Sequence, residues 1–273
     1  MRTLELAGVH VPVIGQGTWR MGEERSRHTK EVAALRLGIE LGMTLIDTAE
    51  MYAEGGAEEV VGEAIAGRRD QVFLVSKVYP HNASCLGIPQ ACERSLRRLN
   101  TDYIDLYLLH WRGEYPLEET VDAFERLRES GKIDRWGVSN FDLGDLDELA
   151  SPACTTNQVL YNLEERGIEF DLLPWSQHQR MPVMAYCPIG QGGSMLNNST
   201  LKQVAARHEA TPAQVALAWI LRQNGVIAIP KAIRPEHVQL NAQAAQLRLE
   251  VGDLEALDQA FRAPQRKQRL AMV

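Results

Sequence analysis

Residues 104–140 read IDLYLLHWRGEYPLEETVDAFERLRESGKIDRWGVSN. The run Ile104–Leu109 is a short strand-like stretch that stops on His110. A helical pattern follows over Leu117–Ser130, with Gly131 placed where a helix C-terminus wants a residue free to turn. A second strand-like run, Arg135–Val138, leads into Ser139-Asn140. Strand, helix, strand at this spacing predicts two parallel strands joined by a crossover helix.

The same unit repeats outward in both directions. Further strand-like runs lie at Val13–Gly17, Thr44–Asp47, Val72–Ser76, Thr156–Leu160, Val183–Ala185 and Val226–Ile229. They are short and rich in Val, Ile and Leu, as strands covered on both faces are. Helical patterns separate them, among them Glu31–Leu41, Gly56–Ile65, Pro89–Leu99 and Pro212–Gln223, the last opened by Thr211-Pro212 as N-cap and first-turn proline. Eight strands, each followed by helical sequence and with no Pro/Ser-rich linker, predict an α/β fold in which residues 1–273 form one closed (β/α)8 TIM barrel. A doubly wound sheet would want a glycine-rich first turn, and Gly15-Gln16-Gly17-Thr18-Trp19-Arg20 lacks the third glycine. Before Val13, the turn Ala7-Gly8 sits between two apolar stretches and predicts an N-terminal β-hairpin that plugs the bottom of the barrel. After Phe261 the chain turns basic and contains proline, which predicts a surface tail or flap.

The 273 residues carry 29 Lys and Arg against 36 Asp and Glu, a net charge of −7 that argues against a nucleic-acid partner. Cys85, Cys92, Cys154 and Cys187 match no zinc spacing and are expected to be reduced. No run approaches the roughly 18 apolar residues of a membrane span. The first residues lack the apolar core of a secretory signal, so a cytoplasmic protein with no membrane partner is expected. No metal is expected either: His-Glu-x-x-His and the phosphate-binding loop are absent, and Asp and His do not cluster.

In such a barrel, polar residues at the C-terminal ends of strands face the active-site mouth. Leu45-Ile46-Asp47, Val75-Ser76-Lys77 and Leu108-Leu109-His110 each put an ionisable residue there, and Tyr52 lies on the loop leaving Asp47. Taken singly, Asp47 reads equally well as half of an ion pair with Lys77, His110 as a satisfied core histidine, and Tyr52 as a loop aromatic. Together they read as a site. Hydride delivered to a carbonyl leaves an alkoxide that needs a proton. A tyrosine, with a reference pKa of about 10, is a poor acid at neutral pH unless a neighbouring ammonium stabilises the phenolate. In this reading Tyr52 is the general acid, Lys77 supplies the charge, Asp47 aims Lys77, and His110, neutral, orients the substrate oxygen. Trp19 and Trp111 would wall the substrate pocket with Tyr52 and His110, and Tyr79 and His81 would add to that wall; Trp136 reads as core.

The stretches Asp47-Thr48-Ala49-Glu50-Met51-Tyr52, Ser76-Lys77, Asp105 through Trp111, Gly137 through Phe141, Asn157-Gln158, Ala185-Tyr186-Cys187-Pro188 and Ile229-Pro230-Lys231 occur in one order along the whole chain. In that order the sequence resembles the aldo-keto reductase superfamily, and is similar to bacterial members that reduce small aldehydes such as methylglyoxal. The resemblance implies NADPH-dependent reduction of aldehydes and ketoaldehydes by the tetrad Asp47, Tyr52, Lys77 and His110. It implies that Ser139, Asn140 and Gln158 hold the nicotinamide carboxamide and that Tyr186 stacks on its ring. Gly17, Thr18 and Trp19 would line the same groove, and the loop from Pro188 through Gly190 and Gln191 would approach the pyrophosphate. Lys231, Ala232, Arg234, His237 and Asn241 would surround the adenosine end. Here the chain departs from the family pattern, in which a serine follows the lysine and an arginine stands six residues after it. Ala232 and His237 take those places, so NADH is expected to be used as well, and preference for NADPH to grow as His237 is protonated.

Two other readings fit parts of the pattern. One is a cofactor-binding regulatory or sensor module of the potassium-channel β-subunit type. The other is a barrel aldolase with Lys77 as Schiff base. A monomer with a small carbonyl substrate is the expected working form.

Overall fold

Ten strands and ten α-helices make up the computed structural model, which describes residues 1–273. Strands β1 (Thr3–Leu6) and β2 (Val9–Pro12) pair antiparallel around the Ala7-Gly8 turn, where both residues have positive φ. The remaining eight, β3 (Gln16–Gly17), β4 (Leu45–Asp47), β5 (Phe73–Val78), β6 (Ile104–Leu109), β7 (Ile133–Ser139), β8 (Cys154–Leu160), β9 (Val183–Tyr186) and β10 (Val226–Ala228), form one parallel sheet in sequence order. Its ends meet: Ala228 N donates to Val13 O at 2.9 Å, Gly15 N to Ala228 O at 2.9 Å and Gly17 N to Pro230 O at 3.1 Å. The eight strands therefore curl into a barrel.

Helices α1 (His28–Glu40), α2 (Gly56–Ile65), α3 (Gly87–Leu99), α4 (Leu117–Glu129), α5 (Leu143–Leu149), α6 (Leu172–His178), α7 (Ser199–Arg207), α8 (Pro212–Ile220), α9 (Pro235–Ala244) and α10 (Val251–Ala260) lie between and after the strands. Thr211 caps α8 as expected, its side chain accepting from Gln214 N while Gln214 answers at the Thr211 amide.

Two boundaries differ from the sequence reading, for physical reasons. The first strand was expected over Val13–Gly17 but keeps only Gln16–Gly17 in the ladder, with a single bridge at Ile14. Backbones crowd here: a Cβ on Gly15 would stand 2.6 Å from Leu45 Cδ2 and one on Gly17 2.7 Å from the Ile229 carbonyl. The third strand runs on to Val78, so Lys77 lies inside β5 and not beyond its end.

Period-two alternation sorts the side chains of each strand. Leu45, Val75, Leu106, Leu108, Met184, Ile227 and Ile229 form an inner apolar cluster with Leu6 and Val11 of the hairpin, which closes the barrel's lower end as expected. Their neighbours Ile46, Leu74, Tyr107 and Leu109 face the helices and join the larger outer core. Trp136 belongs to that core, stacked on Phe124. Two residues beyond Leu45, Val75 and Leu108 on the same side of each strand come Asp47, Lys77 and His110. The polar layer of the site thus rests on an apolar floor. No helix is long and apolar enough to cross a membrane.

Candidate active site

Lys77 is fully buried and makes three hydrogen bonds through Nζ: to Asp47 Oδ2 at 2.8 Å, to Thr48 O at 2.9 Å and to Tyr52 Oη at 3.2 Å. The strands supply Asp47 and Lys77, and His110 follows β6 directly. Tyr52 comes from the loop after β4, which folds back because Ala53, Glu54 and Gly55 all take positive φ. Gly55 is required there: a Cβ would stand 2.4 Å from Arg98 Nε. The rings of Tyr52 and His110 meet edge to face at 5.7 Å, and His110 packs on Trp111 at 5.0 Å. The four residues expected to form a tetrad therefore do come together.

Burial dominates their electrostatics. Burial pushes the Tyr52 hydroxyl well above its ordinary value, with the Asp47 carboxylate and Cys187 adding to the rise. Burial also pulls Lys77 down, against the pull of Asp47 in the other direction. The ammonium faces both the Asp47 carboxylate and the Tyr52 hydroxyl. Burial, followed by the Lys77 charge, holds His110 well below its usual range, so its ring is neutral at neutral pH. His110 Nδ1 is buried with no partner. Such a site can hold a phenolic proton and present an uncharged imidazole to an incoming oxygen.

A cleft of about 910 Å³ opens above this layer, within the range of small-molecule and cofactor sites. Gly17, Thr18 and Trp19 line one side, with Thr18 Oγ1 donating to Asp47 O at 2.9 Å. Asp47, Tyr52, His110 and Trp111 line the floor; Tyr79 and His81 do not reach it but stack on one another at 4.5 Å, Tyr79 backing Trp111. Ser139, Asn140, Gln158 and Tyr186 also line the cleft, already bonded among themselves. Ser139 Oγ donates to Gln158 O at 2.9 Å and Tyr186 Oη to Asn140 Oδ1 at 2.8 Å, while Asn140 Nδ2 reaches His110 O at 3.1 Å. Asn140 holds a φ of 59°, which asparagine tolerates better than most residues.

The far end holds Pro188, Gln191, Lys231, Ala232, His237 and Asn241. Two expected cofactor residues fall outside the cleft lining. Gly190 turns away at positive φ beside Met195, and Arg234 stands exposed at the N-cap of α9. Arg234 is still coupled to the cleft, because its Nη2 donates to His237 Nε2 at 2.5 Å. Lys231 forms no ion pair in the structure, and burial lowers its affinity for its proton. A half-buried, unpaired ammonium at the end of a long cleft fits a phosphate-bearing ligand.

Other lining residues were not among those expected at the site. Arg20, stacked on Trp19 at 4.6 Å, Cys187 at a φ of 47°, and Thr211 all reach the cleft. So do Met272 and Val273, brought there by the tail. The tail is the expected flap, tied down where Lys267 Nζ meets Asp142 Oδ1 at 3.1 Å and Asp171 Oδ2 at 3.0 Å, the N-cap side chains of α5 and α6.

Known proteins resemble the chain over most of its length. The aldo/keto reductase family model matches residues 13–262. Methylglyoxal reductase YeaE of Escherichia coli is 57% identical over 273 residues, 97% of this chain and 96% of that one. Glyoxal reductase of Bacillus subtilis is 35% identical over 257 residues, 92% and 89% of the two chains. An aldo/keto reductase from Klebsiella pneumoniae, solved in complex with NADP and acetate, superposes with a TM-score of 0.98 at 54% identity, covering 99% of each chain. By family match, identity and fold alike, the chain belongs to the aldo/keto reductase family.

Proposed function

We propose that the protein reduces small aldehydes and ketoaldehydes, methylglyoxal among them, with NADPH, and that Tyr52 is the general acid. The observation that carries this reading is the convergence of Asp47, Lys77, Tyr52 and His110 at one end of a cleft whose other end offers the unpaired Lys231. The similarity to methylglyoxal reductase YeaE supports the substrate class, and the NADP-bound Klebsiella relative supports the cofactor.

The cleft residues fit a dinucleotide phosphate. Lys231 and His237 would hold its 2′-phosphate, Asn140 and Gln158 the carboxamide, and the Tyr186 ring the nicotinamide face. Bound there, NADPH supplies the hydride that the carbonyl carbon accepts. His110, neutral and packed against Trp111, donates an N–H to the carbonyl oxygen and fixes its position. The oxygen then takes its proton from Tyr52 Oη as the C–H bond forms. Lys77, 3.2 Å away, meets the negative charge left on the phenol. One hydrophobic cluster reaches from Val13 to Phe261, which supports reading residues 1–273 as one domain.

The test is NADPH oxidation against a panel of carbonyls. Methylglyoxal and aromatic aldehydes should turn over better than free glucose or xylose, whose hydroxyls the aromatic walls leave unpaired. Tight NADPH binding without turnover of any carbonyl would replace this reading with the sensor module. Trapping of a Lys77 adduct by borohydride would replace it with the aldolase; three hydrogen bonds on a fully buried ammonium speak against that.

A further inference from the structure

Gln158 stands on β8, 1% exposed, and sends its amide across the barrel interior. Its Nε2 donates to Asp47 Oδ1 at 2.7 Å, while Asp47 Oδ2 receives Lys77 at 2.8 Å. Asp47 is itself only 2% exposed, and no other group donates to Oδ1. The carboxylate is thus divided between two partners, one ionic and one neutral. Removing the neutral partner leaves a charged oxygen buried without a donor, which costs more than the bond itself is worth. The arrangement also settles the amide's orientation: with Oε1 toward Asp47, two acceptors would face each other. One Nε2 hydrogen is therefore committed to Asp47, the other lies toward Met184 Sδ at 4.0 Å, and Oε1 is left free to accept from a ligand.

We propose that Gln158 is a positioning residue for the proton-donating group, acting through Asp47: it pins one carboxylate oxygen so that the other holds the Lys77 ammonium charged and beside Tyr52. This goes beyond its role at the cofactor and rests on the reductase reading only for its kinetic consequences. The groups facing the ammonium are few. They are Asp47 and the Thr48 carbonyl from β4 and its loop, Tyr52 from the same loop, and His110 after β6. Glu58 of α2 lies behind β5, bonded to Ser76 at 2.6 Å and paired with Arg98, and Cys187 faces Tyr52 from the loop after β9. None of these donates to Asp47 Oδ1.

The sign of the effect follows. Without Gln158 the Asp47 carboxylate is free to rotate off the Lys77 ammonium, so it stabilises the buried charge less, and Lys77 gives up its proton at lower pH. In the full-length Gln158→Leu protein, the Lys77 titration midpoint should fall by about one pH unit, the equivalent of losing a hydrogen bond to a charged group. The midpoint is read from the nitrogen-15 shift of Lys77 Nζ, with the signal assigned by its loss in Lys77→Met. The basic limb of kcat for carbonyl reduction should move by the same amount. Gln158→Glu sets a second carboxylate against Asp47 and should recover toward wild type only in acid, where its protonated form can donate to Oδ1. A Gln158→Leu protein with native circular dichroism and an unmoved Lys77 midpoint overturns the proposal, even if its affinity for NADPH falls. Should that variant not fold, absence of acid recovery in Gln158→Glu overturns it equally. If the wild type reduces no carbonyl, the reductase reading fails, and the ammonium titration still decides the role of Gln158.

Discussion

Tyr52 holds a proton that burial makes hard to lose, and the chemistry proposed for it requires that it be lost only when an alkoxide forms beside it. Tyr52→Phe should retain the fold and NADPH affinity while kcat falls by about 10²–10⁴, the usual contribution of a positioned acid. Stopped-flow reduction of methylglyoxal with an NADPH titration alongside checks both halves; near-normal kcat would remove Tyr52 from proton donation. At the other end of the cleft, Arg234 donates to His237 Nε2. Replacing His237 by arginine adds a second permanent cation beside Lys231. His237→Arg should raise the preference for NADPH, read as the Kd for NADH divided by the Kd for NADPH, by about tenfold or more, the effect of one charge-assisted hydrogen bond to phosphate. An unchanged ratio would mean that position 237 does not meet the phosphate. The tetrad was legible because Asp47, Lys77 and His110 each follow an apolar residue by two positions, and period-two alternation sends both to one side. The electrostatic balance was not legible, because it depends on how deeply the loop carrying Tyr52 is buried, which no local pattern reports.

Between elements, single side chains do much of the locking. Asp253 of α10 accepts from Arg207 Nη2 at 2.5 Å and meets His208 Nε2 at 2.5 Å, joining α10 to the end of α7. Burial alone would raise its carboxyl; the His208 and Arg207 bonds and the Glu250 amide outweigh this and hold it at about 2. A depressed carboxyl stabilises the fold fully above its unfolded value, near ~4, and that stability drains away as pH falls toward the folded value. The melting temperature of the wild type should therefore drop between pH ~4 and ~2 more steeply than that of Asp253→Asn, which starts lower and lacks this contribution. Parallel curves would show the contact to be inert. Strand and helix order was readable from alternating apolar runs and from signals such as Thr211-Pro212. Strand ends were less so: β3 shrinks to Gln16–Gly17 because glycine backbones there press against Leu45 and Ile229, a long-range constraint. Met272 and Val273 illustrate the same limit, since their place in the cleft depends on Lys267 meeting two helix caps more than 90 residues earlier.

The molecule as a whole is a tube stopped at one end. The hairpin residues Leu6 and Val11 seal it below, and Leu45, Val75 and Leu108 lie between that seal and the Lys77 ammonium. For a hydrogen ion the tube is a cul-de-sac: traffic between Lys77 and bulk water leaves by the cleft, past the Tyr52 hydroxyl and the Asp47 carboxylate that line it. Ammonium hydrogens of Lys77 should consequently swap with solvent deuterium slowly, and slower still once a dinucleotide fills the exit. Paired polar-for-apolar changes in the stopper, Leu6→Asn with Val11→Asn, should open a back door and speed the swap, without the cleft being touched. A swap rate indifferent to both the dinucleotide and the stopper would mean that water reaches Lys77 by some third way.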